Sequence, residues 1–165
     1  MGTKGKEIVL MDAHELVKLL NKAFADEWFS YYQYWVGARV VSGHMREAVT
    51  TELEEHAGDE LRHAGMLSER IIQLGGTPLL KPEDWYKTTN CGYDSPEDSS
   101  AEAVLDQNIK AEQCAIDVYN HLLQEIKDKD PITYDIVLQI LKDEVEHEDD
   151  LQALSEDLRE IIRNK

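Results

Sequence analysis

Apolar residues recur along this chain at steps of three and four positions, the spacing that places them on one face of an α-helix. Four long segments show this pattern, and we see no alternation typical of strands. The pattern predicts an all-α protein with four long helices. The four stripes are Leu16, Leu20, Ala23, Phe24, Tyr31, Tyr34 and Ala38; Leu53, Ala57, Ala64, Leu67 and Ile71; Leu105, Ile109, Ile116, Tyr119 and Leu123; and Val137, Leu141, Leu151, Leu154 and Leu158.

Local signals mark the ends of these predicted helices. Asp12-Ala-His-Glu15 and Ser99-Ser-Ala-Glu102 are typical of capping boxes and open the first and third helices. Asp130-Pro131 is an N-cap followed by proline at the first helical position of the fourth helix. The remaining boundaries are Ser42-Gly43 at the end of the first helix, about Met45 to Leu74 for the second helix, and Gly75-Gly76 at its stop.

The segment 77–100 separates the two halves and holds three of the four prolines. We predict a long crossover here, with a short helix around Pro82 to Lys87. It would join helices that are not antiparallel neighbours, because two helical hairpins connected in this way form the ferritin-like arrangement of a four-helix bundle. The 165 residues are predicted to form a single domain with residues 1–11 as a tail.

Charged residues interrupt the apolar stripes at equivalent places. Glu60-x-x-His63 and Glu144-x-x-His147 each put a carboxylate and an imidazole one turn apart, and Glu27 and Glu112 precede them by 33 and 32 residues. Buried carboxylates are costly unless they are paired. Four glutamates and two histidines in two equivalent sets are the ligand inventory of a dinuclear metal site in a bundle, and they suit iron, manganese or zinc. The alternative is that the four glutamates lie on the surface.

Other polar residues lie near this set. Asp59 and Asp143 each precede a motif glutamate and are predicted to accept the second N–H of a metal-bound histidine from the opposite half, unless both are solvated. Tyr34 and Tyr119 lie two turns after Glu27 and Glu112, with Tyr34 the better candidate for a role beside the metals and core packing the alternative. The remaining histidines are expected at the surface or as incidental metal contacts: His14, His44, His56 and His121.

The net charge of -17 weighs against nucleic acid as the main partner, since phosphate binding needs a cationic face. It suits a protein that attracts metal cations. No apolar run approaches the length of a membrane span and no secretory segment is recognisable, so we expect a cytoplasmic protein without a membrane partner. Two cysteines are too few for a disulfide-dense secreted scaffold.

Taken together, these motifs resemble the ferroxidase centre of bacterioferritins across all four helices. The residues that carry the resemblance are Ala25-Asp-Glu27 with Tyr34, Asp59-Glu60-x-x-His63, Glu112, and Asp143-Glu144-x-x-His147. The resemblance implies two iron ions, with Glu27 and Glu112 as terminal ligands, Glu60 and Glu144 as bridges, and one iron on each of His63 and His147.

The chain also departs from bacterioferritins. Those proteins bind haem through a methionine directly after the second-helix glutamate, and Leu61 stands at that position, so no haem is expected. Only 18 residues follow His147, too few for the short fifth helix of the 24-subunit cages. The smaller Dps-type shell of 12 subunits is therefore expected.

Cys91 and Cys114 are similar to the cysteine pair of a Dps-like group called thioferritins, in which one cysteine lies in the crossover and the other just after the third-helix glutamate. The helical repeat turns Cys114 roughly 200° from Glu112, toward whatever covers the third helix. The crossover that carries Cys91 is the natural cover. A disulfide that acts as a reversible thiol pair and two unpaired buried cysteines both remain open.

The resemblance implies an iron-oxidising and iron-storing cage subunit that oxidises iron(II) with peroxide or dioxygen and protects against oxidative stress. A di-metal peroxidase or a manganese catalase on the same fold is the nearest alternative, since these ligands do not separate manganese from iron. Two cysteines cannot supply the additional four-cysteine iron site of most rubrerythrins. A non-enzymatic DNA-binding shell is supported only by Lys4 and Lys6 in the tail.

Overall fold

The computed structural model describes residues 2–164, which form six helices and no strand apart from one isolated bridge between Ser42 and Ser100. The all-α prediction is therefore confirmed. None of the helices within this range is long and apolar enough to cross a membrane. The helices are α1 (Thr3–Glu7), α2 (Ala13–Val40), α3 (Arg46–Gln73), α4 (Pro82–Thr88), α5 (Ala101–Ile126) and α6 (Pro131–Arg163).

The four long helices pack as two hairpins, α2 against α3 and α5 against α6. The crossover between α3 and α5 contains the predicted short helix, α4, which packs on α2. Trp85 of α4 stacks on Trp28 of α2 with the ring centroids 5.2 Å apart. The two hairpins and their long connection give the predicted ferritin-like bundle.

Backbone capping explains where the helices begin and end. Asp12 Oδ1 accepts from the backbone N–H of Glu15 at 2.9 Å, as predicted for the start of α2. At the end of α3, Gly75 has a φ of 88°, and its N–H and that of Gly76 donate to Ile72 and Ile71, which is a Schellman motif. A side chain at Gly75 would strain this turn.

Two details of the helix ends differ from the prediction. The N-cap of α5 is Ser100, whose Oγ accepts from the N–H of Ala103, and not Ser99. Ser99 is held outside the helix because its carbonyl accepts from the N–H of Ser42 at 2.7 Å. The predicted tail contains the short helix α1, which buries none of its residues and which no apolar stripe had indicated.

The core of the bundle is divided. One apolar cluster lies at the end where α2 begins, and the other at the end where α2 stops; on each long helix the predicted metal ligands lie between them. A buried polar layer therefore crosses the middle of the bundle. The first cluster includes Leu16, Leu20, Ala64, Leu67, Ile71, Tyr119, Ile126, Val137 and Ile140; the second includes Tyr34, Ala38, Val49, Leu53, Ala57, Val104, Leu105, Leu151 and Leu158.

Candidate metal centre

The middle layer brings together all six predicted ligands, and each is at most 3% exposed. Their donor atoms form two overlapping groups, and within each group all atoms lie within 4.8 Å of one another. Because two glutamates belong to both groups, the arrangement fits two metal ions that share two carboxylates. The groups are Glu27, Glu60, His63 and Glu144, and Glu60, Glu112, Glu144 and His147.

The two groups have similar geometry. His63 Nδ1 lies 3.2 Å from Glu144 Oε1 and 3.3 Å from Glu27 Oε2. His147 Nδ1 lies 3.3 Å from Glu60 Oε1 and 3.6 Å from Glu144 Oε2. The centroids of the two imidazoles are 6.2 Å apart. Each histidine therefore faces its own end of one shared carboxylate cluster.

A tyrosine hydroxyl holds each of the two glutamates that belong to one group only. Tyr119 donates to Oε1 of Glu27, and Tyr34 donates to Oε1 of Glu112. In each glutamate the other oxygen, Oε2, has no hydrogen-bond partner within residues 2–164. Each tyrosine therefore occupies one oxygen of its glutamate and leaves the other without a partner. Both hydroxyls contact the site, although the sequence favoured Tyr34 over Tyr119.

Each of the six residues has one buried polar atom without a hydrogen-bond partner in the described part of the chain. Buried donors and acceptors are normally satisfied, and leaving one unpaired costs about 1–3 kcal/mol. Six such atoms around one point would be very destabilising unless something else pairs with them. Divalent metal ions suit these donors, which are Glu27 Oε2, Glu60 Oε1, His63 Nδ1, Glu112 Oε2, Glu144 Oε1 and His147 Nδ1.

The middle layer holds more negative than positive charge, which shifts the pKa values of its residues. Burial and the neighbouring carboxylates raise the pKa of Glu27 and of Glu112 well above the ordinary value. Burial alone would lower the pKa of His147, but the nearby carboxylates of Glu144 and Glu60 outweigh it and raise that pKa to about 10. Carboxylates and imidazole thus retain protons that cations can displace.

The outer nitrogens of both histidines face aspartates of the opposite hairpin. His63 Nε2 lies 3.0 Å from Asp143 Oδ2, whereas His147 Nε2 lies 3.6 Å from Asp59 Oδ2. Arg62 Nη2 donates to both aspartates, at 2.9 and 2.7 Å. An N–H donated to Asp143 leaves Nδ1 of His63 as the nitrogen that can accept a metal, which is the usual role of such an outer carboxylate.

His56 was expected at the surface or as an incidental metal contact, and it does not lie at the surface. It is 2% exposed, and its ring stacks on that of His147 with the centroids 4.0 Å apart. The signal was present in the sequence, because His56 lies one turn before Glu60 on the same face of α3. His14, His44 and His121 are exposed, as expected.

Cys91 and Cys114 form a disulfide between the crossover and α5. The neighbouring Asp26 is buried and accepts from the backbone N–H groups of Asn90 and Cys91 and from the side chains of Thr89 and Asn90. These bonds attach the crossover to α2 directly beside Glu27. No motif in the sequence had indicated this role for Asp26.

A family model described as a ferritin-like domain matches residues 17–161. The chain belongs to the ferritin-like family. The family resemblance inferred from the motifs is therefore confirmed. Among curated relatives, the chain is 34% identical over 140 residues to the DNA protection during starvation protein of Pyrococcus furiosus. The aligned residues make up 84% of this chain and 75% of that protein.

Two solved structures have the same fold as this chain. A dodecameric thioferritin, the bacterioferritin-related protein from Bacteroides fragilis, is 41% identical, with a TM-score of 0.95 over 99% of this chain and 98% of that one. The Dps from Thermosynechococcus elongatus is 17% identical and has a TM-score of 0.81 over 86% of this chain and 90% of that one. The second likeness bears on the fold alone.

Proposed function

We propose that this chain is an iron-oxidising and iron-storing subunit whose substrate, iron(II), binds at the six-residue centre. The observation that carries the proposal is the set of six buried, unsatisfied donor atoms, one on each candidate ligand, counted over residues 2–164. His63 Nδ1 lies 3.2 Å from Glu144 Oε1 and His147 Nδ1 lies 3.3 Å from Glu60 Oε1, yet neither pair forms a hydrogen bond. The donor set fits two cations, whose combined positive charge would balance the four carboxylates.

The candidate ligands have different proposed roles at this centre. Glu60 and Glu144 belong to both donor groups and would hold two ions at once. Glu27 and Glu112 would each bind one ion through the oxygen that its tyrosine leaves free. Carboxylates suit a centre whose iron changes oxidation state, because they can shift between bridging and terminal binding. Asp143 keeps the ring of His63 in the orientation that presents Nδ1.

The proposed reaction is the two-electron oxidation of a pair of iron(II) ions. Each iron loses one electron, and one peroxide molecule accepts both electrons and two protons to give two waters; dioxygen is the other candidate oxidant. Consuming iron(II) and peroxide together would suppress hydroxyl-radical formation and so protect against oxidative stress. Leu61, 45% exposed, offers no thioether to a haem iron, so the proposed centre works without haem.

Storage of the oxidised iron requires a shell. The Bacteroides fragilis protein, which matches this chain over nearly its whole length, is dodecameric. We therefore propose a closed homo-oligomer of 12 subunits with the iron(III) product in its cavity. A particle of about twelve times the subunit mass in light scattering supports this assembly, and a monomer, a dimer or a 24-subunit particle contradicts it.

The experiment that tests the activity is anaerobic loading with iron(II), followed by peroxide or air, with iron(III) formation recorded by absorbance. Glu60→Ala and Glu144→Ala should abolish rapid oxidation, because each removes a ligand from both ions. Glu69→Ala is the matched control, since Glu69 is an exposed glutamate on the same helix as Glu60. Full activity in either centre variant, with helicity unchanged, would refute the assignment.

Manganese is the alternative metal, and the same preparation can test it. A manganese catalase would disproportionate peroxide after loading with manganese(II) and would not need iron. Peroxide consumption with manganese and the absence of rapid iron oxidation would favour that function over iron storage.

A further inference from the structure

The face of α3 that carries Glu60 and His63 continues one and two turns toward the start of the helix with His56 and Glu52. On α6, Asp150 lies one turn after His147. These three side chains, Glu52, His56 and Asp150, form a separate group, which we call the outer triad. One donor atom from each lies within 4.8 Å of the others.

The geometry of the outer triad is that of ligands around one ion. His56 Nε2 lies 3.1 Å from Glu52 Oε1 and 3.9 Å from Asp150 Oδ2. Donor atoms that bind one metal at ordinary bond lengths are roughly 3–4 Å apart. The imidazole is fixed there, since its ring is 2% exposed and stacks on His147. Its Nδ1 also lacks a hydrogen-bond partner among the residues that the structure describes.

A cleft of about 100 Å³ lies beside the outer triad and reaches His147, one of the six candidate ligands of the dinuclear centre. Both His56 and His147 line this cleft, together with six carboxylates and one arginine, Arg62. The cleft is therefore strongly anionic and would concentrate cations beside the ring of a candidate ligand.

The internal repeat of the chain offers a comparison. Positions equivalent to Glu52, His56 and Asp150, counted from the other motif histidine, are the apolar residues Ile136, Ile140 and Met66. All three pack in the apolar cluster at the opposite end of the bundle. The fold therefore accepts apolar residues at this distance from the centre, and a polar triad is not something that the bundle requires.

We propose that the outer triad is a third metal site, which binds a divalent transition-metal ion and supplies it through the cleft to the dinuclear centre. Metal binding at the triad stands independently of the proposed ferroxidase function, and only its supply role rests on that function. His56 is the fixed ligand, and the half-exposed Glu52 and Asp150 are the ligands that can release the ion inward.

Zinc(II) is the probe, because it has no redox chemistry. The assembled, metal-free protein is dialysed against zinc(II), the bound metal is counted by mass spectrometry, and zinc-soaked crystals are examined by anomalous diffraction. We expect three ions per subunit, one of them between Glu52, His56 and Asp150. The double variant Glu52→Gln/Asp150→Asn should retain two ions at the dinuclear centre and lose the third.

The double variant Glu55→Gln/Glu146→Gln is the matched control. It removes the same charge from the same cleft without altering the triad, and it should still bind three ions. Two ions in the unmodified protein, a third ion elsewhere, or equal loss in the control would overturn the proposal. Zinc at the triad with none at the dinuclear centre would support the third site while refuting the proposed function.

The supply role has its own measurement. With iron(II) below saturation, the triad variant should oxidise iron more slowly than the control variant, while the total oxidised by each per cycle stays the same. Equal initial rates in the two variants would overturn the supply role.

Discussion

The buried ion pair at the start of α6 allows a quantitative prediction. Asp130 is 0% exposed and Arg70 is 4% exposed, and Arg70 Nη2 lies 2.7 Å from Asp130 Oδ2. The other oxygen of Asp130 caps α6 by accepting from the N–H groups of Ile132 and Thr133. One carboxylate therefore caps a helix and also neutralises a buried guanidinium from the neighbouring hairpin.

Substitution can separate these two contributions. Asp130→Asn retains an oxygen for the cap but leaves the charge of Arg70 unpaired, which costs about 3–5 kcal/mol in a buried site. Asp130→Ala also removes the cap, which adds about 1 kcal/mol. We therefore expect the free energy of unfolding to fall by about 4–6 kcal/mol in Asp130→Ala. Asp12→Ala removes an exposed cap without a buried partner and should cost much less than Asp130→Asn.

Denaturant unfolding followed by circular dichroism, at one fixed protein concentration, measures these differences. Replacing Arg70 by Met in the Asp130→Asn background should recover part of the loss, since no unpaired charge remains. A loss of stability in Asp130→Asn no larger than that in Asp12→Ala would contradict the role assigned to the ion pair. A further loss of stability on adding Arg70→Met to Asp130→Asn would contradict it as well.

The pair also predicts a pH dependence with a definite sign. Burial opposes ionisation of Asp130, but hydrogen bonds from Thr133 and Arg70 outweigh it and hold its pKa below the ordinary value. The folded state therefore binds this proton more weakly than the unfolded chain does. The resulting stability is present above about pH 4 and is lost as the pH falls through the lowered pKa. Asp130→Asn should lack this part of the acid-induced loss.

Three further predictions concern the disulfide, the two buried tyrosines and the net charge of the chain. Reducing the Cys91–Cys114 disulfide, which closes a separation of 23 residues, should lower stability by about 3 kcal/mol, and an unchanged unfolding midpoint with dithiothreitol would contradict this. Tyr34→Phe and Tyr119→Phe should each slow iron oxidation by a similar factor, because each frees one terminal carboxylate; a large effect from only one would argue against equivalent roles. DNA should not be retarded in a gel at physiological salt, given the net charge of -17, and tight salt-sensitive binding would show that this reasoning fails.

Helical periodicity was sufficient to predict the bundle and the inward direction of the six ligand candidates. Leu67, Ile71 and Leu151 are fully buried, as their stripes indicate. The six ligand candidates lie on the same helix faces as these apolar residues, so the position of the polar layer follows from spacing alone. The roles of the six as metal ligands remain a prediction.

Features that depend on contacts between distant segments could not be predicted in the same way. The start of α5 moved by one residue because Ser42, nearly sixty positions away, holds the backbone of Ser99. The attachment of the crossover by Asp26 depends on loop conformation, which periodicity does not encode. The burial of His56, in contrast, could have been predicted, because His56 lies one turn before Glu60 on the same face of α3.

The divided core links the stability of this protein to any metal ions that its middle layer binds. Two apolar clusters bury side chains at the ends of the bundle, and the layer between them contributes little until its carboxylates are neutralised. Any ion that binds the folded layer and not the unfolded chain adds its binding free energy to the free energy of unfolding. Tighter ion binding therefore gives greater resistance to unfolding, so the melting temperature of the purified protein should report how fully its centre is loaded.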